Sequence, residues 1–203
     1  MDNQMIRRGG EVFNEDVARW VGQHRMTWFF HKGGQLTLGA LKNVGDYNRY
    51  QGSSWDAMFF DEAPNMRQTE VLSVMGWNRS DDPDQRCQCY FYFNPPTTAE
   101  GNWIIEFFAP WIDKSNPNPA EEGELRWFVT VEGRSLEVPN GDTYYHKGKK
   151  LLPRSRTFFK SELDENPTFG EQYKSVLASM PPPLNQQLLE GCLLYTSPSP
   201  RDS

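Results

Sequence analysis

Trp55-Asp56-Ala57-Met58-Phe59-Phe60-Asp61-Glu62-Ala63-Pro64 is the stretch on which the fold of this chain turns. Residues 55–60 are mostly apolar and stop at two adjacent carboxylates. A run this short and this continuous predicts a strand buried on both faces, as in a parallel sheet covered by helices. Asp61 and Glu62 then stand at the strand's C-terminal end, the rim where ligands of open α/β sheets bind.

Working outward, residues 69–77 predict a short helix, and Ser80-Asp81-Asp82-Pro83-Asp84 a loop. Residues 87–93 predict a second aromatic strand, closed by Asn94-Pro95-Pro96. Strand, helix, strand is the crossover unit of a parallel sheet. Upstream, Val12, Phe13, Val17, Trp20 and Val21 have helical spacing, so residues 11–24 predict an amphipathic helix. Two β-rich runs, residues 27–30 and 36–41, flank Gly33-Gly34 and predict a hairpin. Downstream, residues 102–111 mix aromatic and aliphatic side chains, and residues 116–122 read as a loop. Residues 126–131 and 136–138 predict a second hairpin turning at Glu132-Gly133-Arg134. Residues 166–180 predict a helix, with Pro167 near its start and Pro181-Pro182-Pro183 beyond its end.

Composition sets the outer limits. A chain of 203 residues with 37% hydrophobic and 24% charged side chains can bury a globular core. No run approaches the roughly 18 apolar residues of a membrane span, and the N-terminus lacks the apolar stretch of a signal peptide, so a cytoplasmic compartment is expected. The net charge of -6 gives no global attraction to nucleic acid, which leaves local basic segments. Three cysteines, an odd number, argue against a disulfide framework. Cys87 and Cys89 lack two further ligands at tetrahedral spacing, and His24, His31 and His146 do not cluster near them in sequence; two small residues on one strand face is the simpler reading.

A strand-terminal Asp-Glu pair suits nucleotide hydrolysis of the P-loop kind. There the Asp helps hold Mg²⁺ and, in one large division, the adjacent Glu aligns and deprotonates the attacking water. Asn94, at the end of the neighbouring strand, is positioned to sense the terminal phosphate of ATP. The phosphate cradle itself, Gly-x-x-x-x-Gly-Lys followed by Ser or Thr, occurs nowhere in the chain. The chain by itself is therefore expected to hydrolyse little ATP.

Four stretches in order carry a family resemblance: Gly34-Gln35-Leu36-Thr37-Leu38-Gly39, Tyr50-Gln51-Gly52, Phe59-Phe60-Asp61-Glu62-Ala63 and Phe93-Asn94-Pro95-Pro96. Their order and spacing resemble the ATPase domain of tailed-bacteriophage terminase large subunits. Further matches at Ser155-Arg156-Thr157-Phe158-Phe159, Leu163-Asp164-Glu165-Asn166-Pro167, Tyr173-Lys174-Ser175-Val176-Leu177 and Leu188-Leu189-Glu190-Gly191 look like the family's stretch between motor and nuclease. The resemblance spans most of residues 26–191. It implies a P-loop NTPase-type α/β fold, a mostly parallel sheet flanked by helices with added β-hairpins, incomplete at both ends. It further implies a motor that uses ATP and Mg²⁺ to drive double-stranded viral DNA into a procapsid in the host cytoplasm. The partners implied are the portal protein, the small terminase subunit and other copies in a homo-oligomeric ring, with no membrane. Asp61 resembles the Mg²⁺-associated acid, Glu62 the catalytic base, and Asn94 the residue that couples hydrolysis to movement.

On this reading residues 1–124 form a partial motor domain without its phosphate loop, and Met1 is an internal start. Residues 125–191 form the post-motor hairpin and linker, with the nuclease beyond Gly191. Residues 192–203 resemble translated adaptor sequence and stand apart from the fold. Three other readings remain. Another P-loop ATPase such as a helicase shares Asp61 and Glu62 but not the Asp164-Glu165-Asn166-Pro167 segment. A metal-dependent nuclease needs a third carboxylate beside them. A non-enzymatic DNA- or protein-interaction domain draws on the many aromatics, which at strand spacing more often form core. Lys147, Lys149, Lys150, Arg154 and Arg156 make the one basic run, a solvated loop or a phosphate contact.

Overall fold

Three short strands rich in aromatic and β-branched side chains form an antiparallel sheet early in the chain: β1 (Ala18–Val21), β2 (Thr27–Phe30) and β3 (Gln35–Thr37). The computed structural model describes residues 9–22, 26–161, 171–181 and 185, and contacts divide the chain into two units, residues 1–53 and 54–203. In the first unit β2 is the central strand, and Thr27 and Trp28 are buried. Trp20 packs across the β1–β2 pair on Trp28 at 4.1 Å, and Phe13 sets its edge against Trp28 and Phe30. Gly33 and Gly34, both at positive φ, make the turn into β3.

The helix expected over residues 11–24 is not formed at that length. Residues 9–12 are helical, and Ala18–Val21 is strand. Trp and Val serve either conformation, and pairing with β2 gives this segment both a backbone ladder and a cross-strand aromatic partner. A 3-10 helix at Asp46–Tyr50 follows, and the Tyr50 hydroxyl accepts from the Ala40 N–H at 2.8 Å, tying this turn to the chain after β3.

The second unit contains the crossover. β4 (Ala57–Asp61) and β5 (Gln88–Tyr92) pair in parallel, from Ala57 opposite Gln88 to Asp61 opposite Tyr92, with the helix Gln68–Met75 between them in sequence. That helix buries Glu70, Val71 and Val74. At the start of the strand pair the buried Asn78 side chain donates to the carbonyls of Trp55, Asp56 and Gln88, joining the two entry points.

Burial of β4 on both faces does not hold. Met58 and Phe60 are buried, whereas Phe59 is 57% exposed, stacked on Tyr90 at 4.9 Å, and Tyr92 on the same side is 54% exposed. The inner face packs instead on residues that the sequence left unassigned. Phe91 stacks on Phe60 and meets Trp103, Phe107 and Phe108, from the helix Trp103–Phe107 and the residue after it. A further turn of helix covers Ala109–Ile112.

β6 (Arg126–Val131) and β7 (Arg134–Val138) form the expected hairpin. Glu132 and Gly133 are both at positive φ, the conformation of a two-residue type I′ turn. The basic run is ordered as well: β8 (Tyr144–His146) and β9 (Lys149–Leu151) pair with each other, and β10 (Arg154–Arg156) joins β6 in a sheet ordered β10-β6-β7. Arg156 lies over the rings of Phe107 at 3.7 Å and Phe128 at 4.2 Å and donates to the Phe107 carbonyl. Burial lowers its pKa to about 10, so it stays charged at neutral pH. Residues on either side of position 124 thus share one unit. The helix expected over residues 166–180 is observed as Glu171–Ala178, with Pro167 and the Asp164-Glu165-Asn166 segment outside the described residues. The tail 192–203 also lies outside them. Among the described residues the architecture is mixed α/β, with small antiparallel sheets and one parallel strand pair. Among the described residues no helix is long and apolar enough to cross a membrane.

Candidate functional site

Parallel pairing brings the C-terminal ends of β4 and β5 side by side, and with them Asp61, Glu62 and Asn94. Asp61 closes the ladder opposite Tyr92. Its exposed carboxylate has no hydrogen-bond or ion-pair partner among the described residues. Glu62 leaves the strand in the left-handed conformation, φ 51 and ψ 47, and starts the 3-10 turn Ala63–Asn65. A non-glycine residue reaches that region only at a steric cost. From the other strand end the Asn94 side-chain amide donates to the Glu62 carboxylate, Nδ2 to Oε1, at 3.2 Å.

Two further residues hold the loops that carry this pair. Gly101 is buried where the chain after Glu62 meets the chain after Asn94. A Cβ there would come within 2.8 Å of Pro96 Cβ and 2.9 Å of the Pro64 carbonyl oxygen, so only glycine allows the approach. The Trp103 indole donates to the Met66 carbonyl at 3.0 Å and anchors the end of the 3-10 turn. Neither was singled out in the sequence, where a lone glycine beside an aromatic run has no distinguishing pattern.

No family model, curated protein or solved structure matches the chain. Glu62 and Asn94 supply a carboxylate and an amide that orients it, and Asp61 adds an open carboxylate. Among the described residues no group of three His, Cys, Asp or Glu converges as a metal cage. One carboxylate is nevertheless enough for a Mg²⁺ that is held mainly by nucleotide phosphates and water.

Cys89 is a partly buried free thiol, and His31 and Arg126 have partners of their own. Burial pushes the Cys89 thiol up to about 11, which removes it as a thiolate at neutral pH. The His31 ring contacts the Glu15 carbonyl at 2.8 Å. A shallow recess on the β6–β7 hairpin is lined by Arg126, Trp127, Glu137 and Val138, but Arg126 is already paired with Glu124 and Glu137.

Proposed function

We propose that this chain is part of an ATP-driven DNA-packaging motor of the terminase large subunit kind, with its water-activating groups at the ends of β4 and β5. The carrying observation is the hydrogen bond from Asn94 to Glu62 across two parallel strand ends. The sequence resemblance gives Glu62 the role of base and Asn94 that of coupling residue, and their contact gives both roles a physical link.

In this reading Glu62 takes the proton of the attacking water, using carboxylate lone pairs that Asn94 leaves unoccupied. Asn94 fixes the carboxylate's orientation, and a pull on its side chain by the nucleotide's terminal phosphate would move Glu62 with it. Asp61 would hold Mg²⁺, through water. The bound ion supplies charge neutralisation on the phosphates. The P-loop architecture belongs to this proposal, as do viral double-stranded DNA, the portal protein, the small terminase subunit, a homo-oligomeric ring and the host cytoplasm. The phosphate cradle, absent from these 203 residues, would come from elsewhere in the parent protein. A helicase-like ATPase would use the same Asp61 and Glu62. A protein-interaction role draws on one observation, the exposed Phe59, Tyr90 and Tyr92 face.

The test is ATP hydrolysis by the protein read from the surrounding gene, with Glu62→Gln as the variant. Loss of a general base lowers turnover on the order of 100- to 10,000-fold, while ATP binding stays near wild type. Unchanged turnover removes Glu62 from the role.

A further inference from the structure

The basic run takes a form that its sequence did not suggest. β8 and β9 make a two-stranded ribbon that joins no larger sheet among the described residues. Lys147 and Gly148, at φ 46 and 77, close it with a type I′ turn. Tyr145 sits opposite Lys150, and His146 opposite Lys149. Successive strand residues face opposite ways, so Lys149 and Lys150 project from the two faces of the ribbon. Both lysines are exposed, and Tyr145 is 67% exposed.

Charge is segregated here. Between Asp142 and Glu162 there is no acidic residue, although the chain as a whole carries a net charge of -6. Lys149, Lys150 and Arg154 have no carboxylate partner among the described residues. Lys147 pairs with Glu132 at 2.8 Å, but both side chains are about 70% exposed, and such a pair exchanges readily for another anion. Arg156 is held between Phe107 and Phe128 and takes no part.

We propose that the β8–β9 ribbon is a contact for the phosphate backbone of double-helical DNA of any sequence. The major groove of B-DNA admits a two-stranded β-ribbon. Lys150 stands on the open face with Tyr145, and Lys149 stays exposed at the edge of the face that carries the half-buried Tyr144, His146 and Leu151, so the ribbon presents its lysines along one edge and the turn, as a groove walled by phosphates requires. The Tyr145 hydroxyl, beside Lys150, adds a neutral donor of a kind that often binds phosphate oxygens. Such contacts hold the duplex without reading its bases. The choice of duplex DNA as the polyanion rests on the packaging reading; the ribbon's shape and charge stand independently of it.

The experiment measures binding of the full chain to a labelled random-sequence duplex, without nucleotide, between about 50 and 200 mM salt. The paired substitution Lys149→Gln with Lys150→Gln is expected to weaken binding. It should also flatten the slope of log K against log salt by about 2, close to one per lost phosphate contact. Lys149→Arg with Lys150→Arg should restore both, and circular dichroism should show all variants folded. Three results would overturn the proposal: no duplex binding by the wild type at the lowest salt, an unchanged slope in the glutamine variant, or lysine-dependent binding to phosphatidylserine vesicles without duplex binding. Because no hydrolysis is read, failure here leaves the Glu62 test standing, and failure of that test leaves this one.

Discussion

Glu62 occupies a backbone conformation that costs a non-glycine residue about 1–2 kcal/mol, yet it is a glutamate that stands there. Glycine would relieve the strain but would remove the carboxylate that Asn94 holds. Arg156 shows the contrasting case, a charge spent on packing: its position between two aromatic rings excludes it from any phosphate contact, which its place in a basic run did not reveal. At Asp46 the backbone N–H of Asn43 holds the carboxyl below its ordinary pKa against the opposing effect of burial, with help from Lys42 N–H and Arg49. A depressed folded-state value means that this stabilisation is present above the ordinary carboxylate range and is lost as pH falls through the folded-state value. The Tm difference between wild type and Asp46→Ala is therefore expected to narrow on acidification below that range. A difference that stays constant or grows would show that the carboxylate's ionisation contributes nothing.

At the scale of elements, legibility followed how local the determining contacts are. The parallel partners β4 and β5 and the β6–β7 hairpin could be read because short aromatic and β-branched runs end at clear turn residues. Residues 11–24 misled because Val17, Trp20 and Val21 satisfy a helical spacing, while the strand partners of Trp20 and Val21, Trp28 and Thr27, lie elsewhere in sequence. Residues 103–112 were not legible at all: their helices are set by an aromatic cluster around Phe91, which no period in the sequence announces. The close packing of the two strand-end loops was hidden for the same reason, since it depends on what Gly101 touches. Gly101→Ala is expected to cost about 1–3 kcal/mol through overpacking against Pro64 and Pro96, read as a lowered denaturation midpoint. Wild-type stability in that variant would mean that the loops yield easily and do not hold the site rigid.

For the molecule as a whole, the α/β character and the strand-helix-strand crossover are facts of its structure, while the motor is a reading of what the crossover carries. Asp61, Glu62 and Asn94 stand out in the sequence because they close or follow the apolar runs of β4 and β5. Their mutual geometry does not, since it depends on register and on one left-handed residue. In the proposed motor Glu62 and Asn94, joined by this hydrogen bond, act as one unit, and groups that act as a unit show strongly non-additive effects on rate. The most direct measurement is a double-mutant cycle on single-turnover ATP hydrolysis in the gene-length protein, using Glu62→Gln, Asn94→Ala and the pair. The double variant is expected to hydrolyse ATP no more slowly than Glu62→Gln alone. Rate losses that simply multiply, or a Glu62→Gln variant that hydrolyses ATP at the wild-type rate, would contradict the account.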